Sequence, residues 1–257
     1  MRSCSRSLPA LGGCVLLDGG SPAELASSSV PAIRKYAGSM RVVIAGGHGK
    51  IALLLERLLA ERGDQAAGLI RNPAHVADVR EAGAEAIVCD LETAAAGEVA
   101  LLLSGADAVV FAAGAGPGSG AARKDTVDRA AAVLMADAAE RAGVRRFVQI
   151  SSMGAGAPPR SGTGEVWAAY ITAKTAAEAD LRARDLDWTI VRPGGLTDAP
   201  ATGRVRLAAP PVPAGTIPRA DVAAVIAALL GEPGTRHHTF ELVSGDCPVT
   251  AAVRSIS

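Results

Sequence analysis

Residues 41–62 read RVVIAGGHGKIALLLERLLAER. An unbroken apolar run of strand-forming residues enters a glycine-rich turn and leaves it with apolar positions at helical spacing. A strand without a polar face has to be covered on both sides, which is the condition of an inner strand in a parallel sheet. A chain that starts this way is committed to a βα unit, and the rest of the sequence repeats the alternation.

Further strands are expected at 66–71, 86–89, 108–112, 146–150, 188–192 and 239–243, with helices over 75–82, 98–103, 125–142, 166–184 and 219–230. Alternation at these lengths means successive βαβ units. Right-handed crossovers then give an α/β, doubly wound parallel sheet, the Rossmann fold. One such domain is expected over residues 40–257, with the Pro- and Ala-rich stretch 199–218 forming a small C-terminal substrate lid.

Residues 1–39 are different. They are rich in Ser, Gly and Pro and show no sustained periodicity. Arg2 and Arg6 ahead of apolar residues 8–17 hint at a signal peptide, and Cys14 after Leu11-Gly12-Gly13 loosely resembles a lipoprotein box, but Pro9, Gly12 and Gly13 interrupt the apolar part. The segment is expected to be a disordered or non-native N-terminal extension, with Met40 standing directly before the first strong strand. A cytoplasmic location follows from that reading.

Charge excludes several function classes. The 26 Lys+Arg balance 26 Asp+Glu, whereas a nucleic-acid protein normally carries a basic surface. No uncharged apolar run approaches the length of about 18 residues that spans a bilayer. Cys4, Cys14, Cys89 and Cys247 contain no CxxC pair, so neither a disulfide framework nor a zinc site is expected. His48, His75, His237 and His238 make no metal-ligand spacing, and no G-x-S-x-G elbow occurs. A small-molecule substrate is the expected partner, for a monomer or homodimer.

The turn Gly46-Gly47-His48-Gly49-Lys50-Ile51-Ala52 has the spacing of a phosphate-binding loop. Gly46 permits a tight turn at the strand end, Gly49 lets the backbone approach a pyrophosphate, and Ala52 is small enough for the helix to pack on the sheet. Unpaired N–H groups and the helix dipole favour the anion. The second strand ends in Arg71, where NAD-preferring sites carry an acidic residue for the ribose 2′-hydroxyl. A guanidinium there suits a 2′-phosphate, so NADP(H) is expected in preference to NAD(H). Asp90 and Leu91 close the third strand, where an adenine edge would lie, and Ala112, Ala113 and Gly114 close the fourth with residues small enough for the cofactor to cross.

Tyr170 and Lys174 are four apart on a predicted helix and share a face. An ammonium beside a phenol favours the phenolate and suits acid–base work. Ser151 and Ser152 close the preceding strand, where a hydroxyl can orient a substrate carbonyl.

The segments VVIAGGHGKIA, GLIRNP, VCDLE, VVFAAGAG, GVRRFVQISSMGA, YITAK and WTIVRPGGLTD together resemble the short-chain dehydrogenase/reductase superfamily, and within it the atypical NAD(P)H-binding branch of NmrA-like and biliverdin reductase B-like proteins. The resemblance implies that Gly46, His48, Gly49, Lys50 and Ile51 hold the pyrophosphate and Arg71 the 2′-phosphate. It places Asp90 and Leu91 at the adenine, Ala112, Ala113, Gly114, Ser151 and Lys174 along the cofactor, and Pro193, Gly194, Gly195 and Leu196 beside the nicotinamide. Ser152, Tyr170 and Lys174 match the superfamily's catalytic serine, tyrosine and lysine. Ala52 departs from the commoner third glycine. The function implied is NADPH-dependent reduction of a small carbonyl or related substrate. The alternative is a non-catalytic, NADP(H)-sensing regulatory protein of the NmrA-like type.

Overall fold

The computed structural model describes residues 14–15, 38–116, 118–159, 162 and 164–256. Most of the segment 1–39 therefore lies outside the described residues. In chain order the elements are β1 (Cys14–Val15), β2 (Arg41–Ala45), α1 (Lys50–Glu61), β3 (Gln65–Ile70), α2 (Val76–Glu81), β4 (Glu85–Cys89), α3 (Ala96–Leu102), β5 (Ala108–Phe111) and α4 (Ala121–Arg123). A π-helical stretch, Lys124–Ala130, carries α4 into α5 (Ala131–Ala142). There follow β6 (Arg146–Ile150), α6 (Glu165–Arg182), β7 (Asp187–Pro193), β8 (Gly195–Thr197), β9 (Arg204–Ala208), β10 (Thr216–Pro218), α7 (Arg219–Leu230), β11 (His238–Ser244), β12 (Cys247–Pro248) and α8 (Val249–Arg254).

The main sheet runs β1-β4-β3-β2-β5-β6-β7-β11-β9-β12, and all pairings from β4 through β11 are parallel. The strand order reverses at β2, which sits between β3 and β5, so the crevice at its carboxyl end is the switch point where ligands bind in such sheets. Val42, Val43, Ile44 and Ala45 are all fully buried. The pleat sends Val42 and Ile44 to one face, where they pack with Leu55, Leu59, Val222 and Ile226, and Val43 and Ala45 to the other, with Met135, Phe147 and Leu181. Truncating a fully buried leucine such as Leu55 to alanine removes about 2–5 kcal/mol.

The fold departs from expectation in several places, among them residues 199–218, the edge strand β1 with a disulfide at Cys89 where none was expected, and the π-helical stretch at the start of the helix expected over 125–142. Residues 199–218 are not a lid alone: β9 joins the main sheet antiparallel to β11, with Leu207 opposite Leu242. The sequence RVRLA alternates, so Val205 and Leu207 turn inward while Arg204 and Arg206 stay exposed. A separate two-stranded parallel ladder, β8 with β10, pairs Leu196 with Ile217. At the opposite edge β1 pairs antiparallel with β4, and Cys89, buried at the end of β4, is disulfide-bonded. No helix among the described residues is long and apolar enough to cross a membrane.

Candidate functional site

Gly46 occupies the left-handed region at φ +79°, and a Cβ there would lie 2.7 Å from Ala113 Cα. The turn is tied to β3 by Gly46 N–H and Gly47 N–H, which both donate to Leu69 O, and is closed by Gly49 N–H donating to Gly46 O at 2.8 Å. Gly49 is the N-cap of α1 and supplies no side-chain cap. The first-turn N–H groups of a helix without such a cap are left for an outside acceptor. These features make a cradle at the switch point that fits the diphosphate of a dinucleotide.

The cradle opens into a cleft of about 300 Å³. Among the residues expected from sequence, Gly46, His48, Gly49, Arg71, Asp90, Leu91, Ala112, Ala113 and Gly114 line it together. They come from four strand ends, and the tertiary fold brings them into one crevice. His48 is stacked on His75 with ring centroids 3.5 Å apart, and its Nε2 is 2.7 Å from Asp78 Oδ2. Asp90 Oδ1 accepts from Glu92 N–H, shaping the turn after β4.

Lys50 takes another direction. Its Nζ is 2.6 Å from Asp198 Oδ2, at the edge of a second cleft of about 410 Å³ between α1 and the segment after β8. Ile51 packs against the core. Gly194 and Gly195 serve the β8 ladder: Gly195 N–H donates to Gly215 O, and a Cβ on Gly194 would lie 2.3 Å from that same oxygen. Pro193 ends β7 and its carbonyl accepts from Met153 N–H, while Leu196 is partly exposed.

A second cluster adjoins the cleft. The half-buried Tyr170 ring has Lys174 Nζ 5.8 Å and Lys124 Nζ 5.2 Å from its centroid. Lys174 is buried, lies 3.2 Å from Asp128 Oδ1 and donates to Ile150 O. Asp128 Oδ2 accepts from Ala115 N–H, which connects this cluster to the strand-end loop that lines the cleft. Lys124 and Asp128 both belong to the π-helical stretch, and such interruptions occur frequently at functional sites.

Ser151 and Ser152 diverge. Ser151 Oγ donates to Glu178 Oε1 at 2.6 Å, inside a buried network with Arg192. Ser152 Oγ donates to Met153 O at 3.2 Å and is half-buried.

Cleft residues not expected from sequence include His75, Glu92 and Arg123. Glu92 accepts from Arg71, Arg123 and Thr126. Burial alone would raise its carboxyl, but the hydrogen bonds from Thr126 and Arg123 and the charges of Arg123 and Arg71 hold it below the ordinary carboxylate range.

A family model described as NAD(P)H-binding matches residues 46–233, a span that contains the cradle, the cleft and the Tyr170 cluster. The chain belongs to this NAD(P)H-binding family. The NAD(P)H-binding fold is shared with solved relatives. A Bacillus halodurans protein provisionally assigned as an NAD-dependent epimerase/dehydratase is 34% identical with a TM-score of 0.78, covering 84% of this chain and 100% of its own. The oxidoreductase ylbE of Lactococcus lactis is 27% identical with a TM-score of 0.74, covering 84% of this chain and 96% of its own. Among curated proteins, the uncharacterized sugar epimerase YhfK of Bacillus subtilis (strain 168) is 35% identical over 218 residues, 84% of this chain and 100% of YhfK. NAD(P)H binding is thus the property of the family to which the chain belongs, and the relatives carry names of oxidoreductase or epimerase type.

Proposed function

We propose that the protein is an NADPH-dependent reductase of a small carbonyl compound. A bound nicotinamide dinucleotide supplies the hydride. Tyr170 gives its phenolic proton to the carbonyl oxygen, so that the carbonyl becomes an alcohol. Ser152 orients that oxygen once its hydroxyl turns from Met153 O. Arg71 selects the 2′-phosphate, and the Gly46–Gly49 turn with the first turn of α1 receives the diphosphate.

The observation that carries this reading is the position of Tyr170, with its ring within 6 Å of two ammonium groups, Lys124 and Lys174. Fixed cations at a phenol stabilise the negative charge left on its oxygen as the proton departs. The test is reduction of an aldehyde, quinone and flavin panel, with NADPH binding followed by calorimetry. Tyr170→Phe is expected to abolish turnover and to leave NADPH affinity unchanged. Equal activity in the variant would remove Tyr170 from the chemistry.

The naming of YhfK as a sugar epimerase favours a second reading. In epimerisation the hydride is taken and returned, so a sugar substrate inverts with no net consumption of cofactor. The absorbance of the reduced nicotinamide during turnover separates the two. Tight NADPH binding without turnover, identical in wild type and Tyr170→Phe, would instead support the non-catalytic sensor.

A further inference from the structure

Glu92, just beyond β4, is the meeting point of donors from two distant parts of the fold. Arg71 Nη1, at the end of β3, and Arg123 Nη2, from α4, approach the same oxygen, Oε2, each at 2.7 Å. Thr126 Oγ1 donates to the other oxygen at 2.7 Å. Arg71, Glu92 and Arg123 all line the nucleotide cleft. The two arginine side chains are 54% and 42% exposed, whereas Glu92 is 22% exposed. Both arginine side chains therefore stay substantially exposed in the cleft while each donates to the more buried carboxylate.

We infer that Arg123 is a second 2′-phosphate-binding residue, forming a two-guanidinium clamp with Arg71, and that Glu92 is the anion that holds this clamp set in the free protein. The inference rests on the NADPH reading above and adds to it a residue that the strand-end rule does not reach. Two planar forks converging on one oxyanion are suited to a phosphate, whose several oxygens can take donors from both. Two arginines and one carboxylate leave one net positive charge. A 2′-phosphate, with close to two negative charges, competes for those donors better than one carboxylate does. NADH has no such group and leaves the Arg–Glu–Arg contacts as they are. Had Arg123 instead lain flat on the adenine, it would serve both cofactors equally, because the adenine is common to them.

The test is calorimetric titration of the full chain and of Arg71→Ala, Arg123→Ala, Arg123→Lys and Glu92→Gln with NADPH, NADH and adenosine 2′,5′-bisphosphate. Thermal unfolding of each variant checks the fold. Arg123→Ala is expected to weaken NADPH and the bisphosphate by about tenfold, the size of one charge-assisted contact, with NADH unchanged. Arg123→Lys should recover part of the loss, because it keeps the charge but not the fork. Glu92→Gln should tighten both phosphate-bearing ligands and leave NADH alone. An Arg123→Ala variant that binds all three ligands as wild type does, or that loses NADPH and NADH by the same factor, would overturn the clamp. If Arg71→Ala erases a wild-type preference for NADPH and Arg123→Ala does not, the clamp fails while the NADPH reading stands. A wild-type preference for NADH removes both.

Discussion

Lys174 Nζ lies 3.2 Å from Asp128 Oδ1, and the two side chains are 4% and 0% exposed. The lysine that sequence spacing places beside Tyr170 is thus half of a buried ion pair. Asp128 also accepts from Ala115 N–H, so the pair ties α6 to the loop after β5 that lines the nucleotide cleft. Lys174 is held as much by Asp128 and Ile150 O as by its register with Tyr170.

Removing one member of this pair strands the other charge in the interior. Asp128→Ala is expected to lower stability by about 3 kcal/mol in chemical denaturation, the cost typical of a broken buried pair. The double variant Asp128→Ala/Lys174→Met should recover part of that loss, because no charge is then left unpaired. A single variant as stable as wild type would show that Lys174 finds another counter-charge.

Glu56, on α1, gives stability an unusual pH dependence. Its carboxyl is fully buried against Gly68 and the nucleotide turn, with neither oxygen hydrogen-bonded, and burial pushes its pKa from 4.5 to about 8. Between those values the unfolded chain releases this proton while the folded chain keeps it. Stability should therefore fall as pH rises from about 4.5 to about 8, by about 1.4 kcal/mol for each unit of the shift as an upper bound. Glu56→Gln should flatten that slope, matching wild type best near pH 4.5 and exceeding it most near pH 8. Parallel denaturation curves across the range for both proteins would contradict the buried, protonated state.

Glu178 behaves in the opposite sense. Burial would raise its carboxyl, but hydrogen bonds from Arg192, Ser151 and Arg182 and the Arg192 charge outweigh it and hold the group below 4.5. Its contribution is present above the unfolded value and is lost as pH falls through the folded one. Glu178→Gln should cost about 3 kcal/mol near neutral pH, with the deficit shrinking in acid as the wild-type carboxyl is protonated. Denaturation at two pH values measures both effects.

Gly46→Ala tests the cradle. The new Cβ would sit 2.7 Å from Ala113 Cα at a backbone φ of +79°, so both the turn and the strand-end loop must shift. Loss of dinucleotide binding is expected together with about 1–2 kcal/mol of destabilisation from the left-handed backbone. Gly63→Ala serves as the control: it also has positive φ but lies clear of any neighbour within 4 Å, so it should bind normally.

Much of this architecture was legible before folding. The parallel strands are short, apolar and bounded by turns, and a strand buried on both faces has to be written that way. The strand-end residues Arg71, Asp90, Ala112 and Gly114 were legible for a related reason: in a doubly wound sheet, chemistry gathers at carboxyl ends near the reversal in strand order. The alternation in RVRLA was also present, but its Pro- and Ala-rich surroundings conceal a strand that comes late in the chain and pairs with β11.

The sequence by itself determined the βαβ order, the glycine-rich turn after the first strong strand and the Tyr170–Lys174 register, because each depends on neighbours within a few residues and on local backbone sterics. Only the tertiary structure decided which charges face one another. Asp128 meets Lys174 across two helices, Arg123 on α4 joins Arg71 at the end of β3 on Glu92, and Ser151 turns into the Glu178 network while Lys50 pairs with Asp198. These pairings join residues far apart in the chain. A side chain's local pattern states its polarity but not its partner, and the partner is fixed only when the sheet and its helices close around it.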